Sequence, residues 1–108
     1  ATEIINGDSV RLLRSYFNVV DDKYENTKKF GVVVAEFDQL LNARSYRDRL
    51  KKNEGFQSYV VYTNREKKYC VVAQAYDEKE SAALFIRNIK QHMKMKVLVP
   101  RPYILQRL

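Results

Sequence analysis

One segment of this chain occurs twice, and the duplication restricts the fold more than any other feature. Laid without a gap on residues 69–101, residues 30–62 match at six of 33 positions: Val32/Val71, Val33/Val72, Asp38/Asp77, Ala43/Ala82, Lys51/Lys90 and Val60/Val99. About two matches are expected from average residue frequencies. Conservative pairs keep the same register, with Phe30 over Tyr69, Phe37 over Tyr76, Tyr46 over Phe85 and Leu50 over Ile89. A repeat of this length is one supersecondary unit, so the chain is expected to hold that unit twice, each copy covering the other's apolar face.

Within the first copy, Phe30 to Phe37 is apolar and β-branched, as a covered strand should be. Leu40, Ala43, Tyr46 and Leu50 then recur at helical spacing, and Gly55 suits the left-handed position after a helix. Phe56 to Tyr62 alternates as a strand does, and the polar stretch Thr63 to Lys68 reads as a hairpin turn. The second copy gives a strand over Tyr69 to Ala75 and a helix opened by Asp77, with a stripe of Ala82, Phe85, Ile86, Ile89 and Met93. Met95 to Val99 reads as a last strand, put at a sheet edge by Pro100 and Pro102. Upstream, Asp8 as N-cap and Val10, Leu13, Phe17 and Val20 at helical spacing predict a short amphipathic helix, followed by a loop from Asp21 to Lys29. The expected fold is α+β and ferredoxin-like: a split β-α-β unit twice, with a four-stranded antiparallel sheet, two helices on one face and an extra N-terminal helix. Residues 1–29 form the helical extension and linker, and residues 30–108 the domain.

At 108 residues the chain supports one core. No apolar run approaches the roughly 18 residues a membrane-spanning helix needs. A net charge of +7 points to an anionic partner such as nucleic acid, an acidic glycan or a lipid surface. Cys70 is the single cysteine, which excludes an internal disulfide and a multi-cysteine metal site. Ala1 is neither an initiator methionine nor the start of a signal sequence, so the chain is expected to begin inside a longer protein. His92 stands alone near a helix end, and no metal-binding histidine pair, nucleophile elbow or glycine-rich phosphate loop occurs. Neither an enzyme nor a cofactor is expected.

From about Phe30 to Tyr103 the chain resembles the SPOR domain, the sporulation-related repeat of bacterial cell-envelope proteins. The resemblance rests on Val32, Val34, Ala35, Phe37, Asn42-Ala43, Leu50, Gly55 and Val60, echoed by Tyr69, Val71, Tyr76, Ser81-Ala82 and Val99. Where the family usually has glycine after the strand, Ala35 and Gln74 stand here. The resemblance implies non-catalytic binding of peptidoglycan in the periplasm or cell envelope, in an envelope or division protein. The particular ligand it implies is glycan strands stripped of their stem peptides, held on the open face of the sheet. Other envelope proteins are further expected partners, nucleic acid is not, and a membrane is met only through a segment outside this chain. A stripped strand carries a lactyl carboxylate on every second sugar, which lysine or arginine can hold, and its C–H faces stack on tyrosine.

Strand alternation turns Val32, Val34, Val60, Val71 and Val99 toward the helices, which leaves Val33, Gln57, Tyr59, Val61, Lys68, Cys70, Val72 and Gln74 on the open face. Tyr59 and Gln57 lead the candidate ligand contacts, with Val33 and Gln74 beside them, Lys68 and Arg101 charging the rim, and Tyr103 folding over one end. Two other readings stand beside glycan binding. Apolar Val33 and Val72 on that face suit a protein-interaction or assembly module. The sheet-and-helix layout also suits an RNA-binding module, but Lys68 to Ala73 lacks the glycine and paired aromatics such a strand carries.

Overall fold

A computed structural model describes residues 1–20 and 28–108, so the expected loop from Asp21 falls largely outside the described residues. The described chain forms the strands β1 (Thr2–Ile5), β2 (Asp8–Ser15), β3 (Phe17–Val19), β4 (Phe30–Phe37), β5 (Tyr59–Thr63), β6 (Lys68–Tyr76) and β7 (Tyr103–Arg107), and the helices α1 (Leu40–Arg49), α2 (Lys79–Arg87) and α3 (Ile89–His92). They make one seven-stranded sheet in the order β1-β2-β7-β4-β6-β5-β3. Every neighbouring pair is antiparallel except β2 and β7, which run parallel.

The ferredoxin-like expectation is therefore corrected: the sheet is mixed, curled into a half-barrel and has seven strands rather than four, and the N-terminal segment is not a helix. Asn6 and Gly7, at φ 54° and 83°, form the two-residue turn between β1 and β2. Both angles are positive, as the tight hairpin turn favoured by Asn-Gly requires. Val10 and Leu12 then alternate into the core while Arg11 and Arg14 remain exposed. The helical spacing of Val10, Leu13, Phe17 and Val20 was a coincidence of a strand that passes its residues to two faces.

The curl follows from chain connectivity. Ser15 at the end of β2 pairs with Arg107 of β7, and Phe17 at the start of β3 pairs with Thr63 of β5. Only Tyr16 separates the two strands, yet five inter-strand gaps lie between them across the sheet. Laid flat, those gaps would span at least about 24 Å, whereas residues two apart reach about 7 Å. The sheet must roll until its margins approach. Irregular pairing of β4 with β6 around Val33 supplies local bending. Gly31 permits it, since a Cβ there would sit 2.9 Å from Val72 Cγ1 and 3.2 Å from the Tyr59 hydroxyl.

Rolling creates two cores. The outer one lies between sheet and helices and contains Val32, Val34, Val60 and Val71, as alternation requires, together with Ala43, Tyr46, Leu50, Ala82 and Phe85. The inner one holds Val33, Tyr59, Val61, Cys70, Val72, Tyr103 and Leu105, with Leu13, Phe17 and Val19 packed on it from the two margins. Contacts from α2 fasten the N-terminal hairpin. Arg87 donates to the Asp8 carboxylate (2.7 Å) and the Asn6 carbonyl (2.8 Å), the Asn6 amide donates to the Glu80 carbonyl (2.9 Å), and Lys79 pairs with Glu3 (3.1 Å). Hydrogen bonding to Arg87 holds the Asp8 carboxyl below its ordinary pKa.

The second half departs from the first. Met95 to Val99 forms no strand, only an isolated parallel bridge from Leu98 to Ala35, so Val99 does not occupy a place like that of Val60. The repeat as a 33-position unit is thereby corrected. What the halves share is the strand-to-helix junction, where Phe37 meets Tyr46 with ring centroids 5.8 Å apart and Tyr76 meets Phe85 at 6.1 Å. A physical reason for the lost strand is at hand. A π-helical turn, Leu50–Glu54, extends α1, and the Glu54 carboxylate accepts the backbone N–H groups of Lys94 (2.6 Å) and Met95 (2.9 Å). The Tyr46 hydroxyl takes the Lys96 carbonyl at 2.6 Å. Backbone groups engaged this way cannot also build a ladder. Strand β7 instead follows Pro102 and fills the place beside β4. The second helix is also split at Asn88, and its N-cap is Glu78 rather than Asp77.

Two stability effects are expected. Gly31→Ala should lower unfolding free energy by about 1–3 kcal/mol in urea titration, the range for overpacking a filled core. Glu54→Ala should cost about 1–3 kcal/mol by the same measurement, because two amides lose their acceptor.

Candidate functional site

The face expected to be open is the inside of the roll, and its centre is closed. Val33 is fully buried, Tyr59 is 3% exposed and Tyr103 2%. Val33 therefore touches no solvent and cannot contact a ligand in this arrangement. The correction is physical: a flat sheet would have bared this face, but β2, next to one edge, and β3, at the other, bring Leu13, Phe17 and Val19 onto it.

What remains accessible is the end of the roll where β4 begins. A cavity of about 590 Å³ opens there, lined by Phe17, Val19, Lys28, Lys29, Tyr59, Gln106, Arg107 and Leu108. The Arg107 guanidinium lies over the Phe17 ring, 4.6 Å from its centroid, which presents a cation on an apolar base. Tyr59 contributes to the floor. A second cavity of about 310 Å³ is lined by Lys28, Gly55, Gln57, Gln74, Ala75 and Tyr76. Lys28 lines both. The Gln57 backbone N–H donates to the Gln74 side-chain oxygen at 3.0 Å, which fixes that carboxamide at the rim. Both volumes fall in the range of ligand-binding clefts.

Of the residues expected from alternation, Tyr59 lines the first cavity and Gln57 and Gln74 the second, with Lys28 common to both. The others do not join them. Lys68 sits at the opposite end of β6, where its ammonium holds the Asp38 carboxylate at 2.5 Å, and that hydrogen bond raises its pKa. Arg101 is exposed and reaches the Ser9 carbonyl at 3.5 Å. Arg101 and Tyr103 line a separate cavity of about 390 Å³ with Arg11 and Glu36. The Tyr103 hydroxyl donates to Glu36 at 2.5 Å and lies 3.6 Å from Cys70 Sγ, while the Arg11 guanidinium covers its ring at 4.5 Å. Tyr103 is accordingly a core tyrosine.

Sequence reasoning missed Lys28, Lys29, Gln106 and Arg107. The Lys28-Lys29 pair ahead of a strand was a visible signal, but its proximity to Phe17 and Arg107 depends on the roll. Among the described residues no group of three or more His, Cys, Asp or Glu side chains is placed to hold a metal ion. Nor, among them, is any helix long and apolar enough to cross a membrane. Cys70 is 1% exposed, and burial pushes its pKa up from 9.0 to about 11.

That shift carries a sign. A thiol that ionises at about 9 when unfolded and about 11 when folded adds stability that is complete below pH 9 and is lost as pH rises toward 11. Unfolding titrations should show wild-type stability falling across that window by up to about 3 kcal/mol from this group, and Cys70→Ala should flatten the fall.

The profile of the SPOR domain matches residues 26–99 of this chain. Comparison with curated proteins and with solved structures gave no significant match.

Proposed function

The chain belongs to the SPOR domain family, and on that premise we propose that it binds peptidoglycan glycan strands stripped of their stem peptides, at the basic end of the rolled sheet. The family is a peptidoglycan-binding, non-catalytic one found in cell-envelope and division proteins, which gives this chain an envelope-binding role. The finer reading rests on one observation: Lys28, Lys29 and Arg107 surround an opening whose floor includes Tyr59 and whose rim continues to Gln57 and Gln74.

The chemistry of these groups suits an acidic sugar polymer. Ammonium and guanidinium groups bind carboxylates through charge-assisted hydrogen bonds, and a guanidinium gives the bidentate form. Carboxamides at Gln57, Gln74 and Gln106 offer both donors and acceptors to sugar hydroxyls. The Arg107 guanidinium, held over the Phe17 ring, is set at the opening as a bidentate donor for a carboxylate. Removing stem peptides frees the lactyl carboxylates, which are the anions these basic groups can hold. No step of bond making or breaking is assigned to these residues, and the periplasm is the compartment in which such a ligand would be met.

Co-sedimentation with purified sacculi tests the reading. Amidase-treated sacculi should retain more of the chain than untreated ones. Charge reversal at Lys28, Lys29 and Arg107 together should weaken retention about tenfold or more, with an unchanged circular dichroism spectrum. Equal retention on both kinds of sacculi would overturn the stripped-glycan reading, and full retention by the triple variant would move the site elsewhere.

A further inference from the structure

The outer flank of α1 carries most of the chain's excess positive charge, and the cavity mouth does not use it. Residues 40–54 and 94–96 hold seven basic and two acidic side chains, against a net charge of +7 for the whole chain. Arg44, Arg49, Lys51, Lys52, Lys94 and Lys96 are all exposed. The two stretches are held side by side by the bonds from Glu54 to the Lys94 and Met95 amides and from Tyr46 to the Lys96 carbonyl. The two acids offset little, because Asp48 is paired with Arg47 at 2.9 Å and Glu54 is engaged by those amides. Apolar side chains stand near the end of this flank where β4 finishes. Leu41, in the first turn of α1, is 77% exposed, and Leu98, whose amide bonds the Val34 carbonyl at 2.8 Å, is 41% exposed.

We propose that this flank docks on the surface of an anionic lipid bilayer, its lysines and arginines on the headgroup phosphates and its two leucines in the interface. Cations alone would suit any polyanion. Exposed Leu41, three residues before Arg44, and Leu98, two after Lys96, put apolar side chains on the same two stretches as the cations, and an interfacial surface combines basic groups with apolar residues that enter the acyl boundary. Lysine stems add apolar contact while their ammonium groups stay at headgroup level. Each cation held near an anionic bilayer strengthens binding about fivefold, so a cluster of this size suffices for reversible attachment without a spanning segment.

Sedimentation of the full chain with vesicles tests the proposal, using phosphatidylcholine alone and an equimolar mixture of phosphatidylcholine and phosphatidylglycerol. The chain should bind the mixed vesicles and not the zwitterionic ones. Reversal of Lys51, Lys52 and Lys94 to Glu should weaken that binding about 100-fold or more. Leu41→Asn should weaken it severalfold, while Lys28→Glu with Lys29→Glu should leave it unchanged. All of these positions are exposed, and circular dichroism checks that each variant is folded. Failure to bind mixed vesicles, or equal binding to phosphatidylcholine alone, overturns the proposal. So does the combination of an inert Leu41→Asn and full displacement by inorganic polyphosphate at equal charge, which would make the flank a site for soluble polyanions.

Discussion

A single residue, Tyr16, joins two strands that belong to opposite sides of the sheet, and the rest of the molecule answers to that short link. Backbone hydrogen bonding on β2 requires β7 as neighbour, and on β3 requires β5. Both demands are met only if the sheet between them rolls up. The roll in turn decides which surfaces exist: an inner core sealed by Leu13, Phe17 and Val19, an outer core under the helices, and a mouth where the start of β4 meets the end of β7. The glycine at position 31 belongs to the same scheme, since the inner core tolerates no side chain there.

The closed interior and the basic exterior divide the work. Inside, polar groups are few and satisfied: the Ser58 hydroxyl donates to the Ala73 carbonyl at 2.8 Å, and Tyr103 joins Glu36 to Cys70. Outside, charge is distributed unevenly, with one share at the mouth and a larger share along α1. The two surfaces are separately testable because neither uses the other's residues.

Much of this was legible from local pattern. Alternation placed Val32, Val34, Val60 and Val71 outward toward the helices and Val33, Tyr59, Val61, Cys70 and Val72 on the other face, as found. Period-two arguments need only neighbouring residues, so they survive ignorance of the fold. Pairing between distant strands is different. Val97-Leu98-Val99 and Tyr103-Ile104-Leu105 are equally plausible strands by composition, but Glu54 and Tyr46 take up backbone groups of Lys94, Met95 and Lys96 just ahead of the first, which keeps only a single bridge at Leu98. Asn6-Gly7 was a hairpin signal in plain view, outweighed by a four-residue apolar spacing that also fits a helix. That hairpin brings β2 onto the face expected to be open, which buries Val33 completely and leaves Tyr103 2% exposed. Tyr59 lines one cavity and Gln57 and Gln74 its neighbour, linked through Lys28, a relation no local rule contains.

The parallel ladder of β2 and β7 joins Leu12 to Ile104, nearly the whole chain apart. Loop closure over that distance is entropically slow, and contacts so remote in sequence are the hallmark of late steps in folding. A hairpin made early on the ribosome must therefore wait, its second strand unpaired on one side, until translation delivers the segment after Pro102. The segment after Pro102 is the one that completes its shelter.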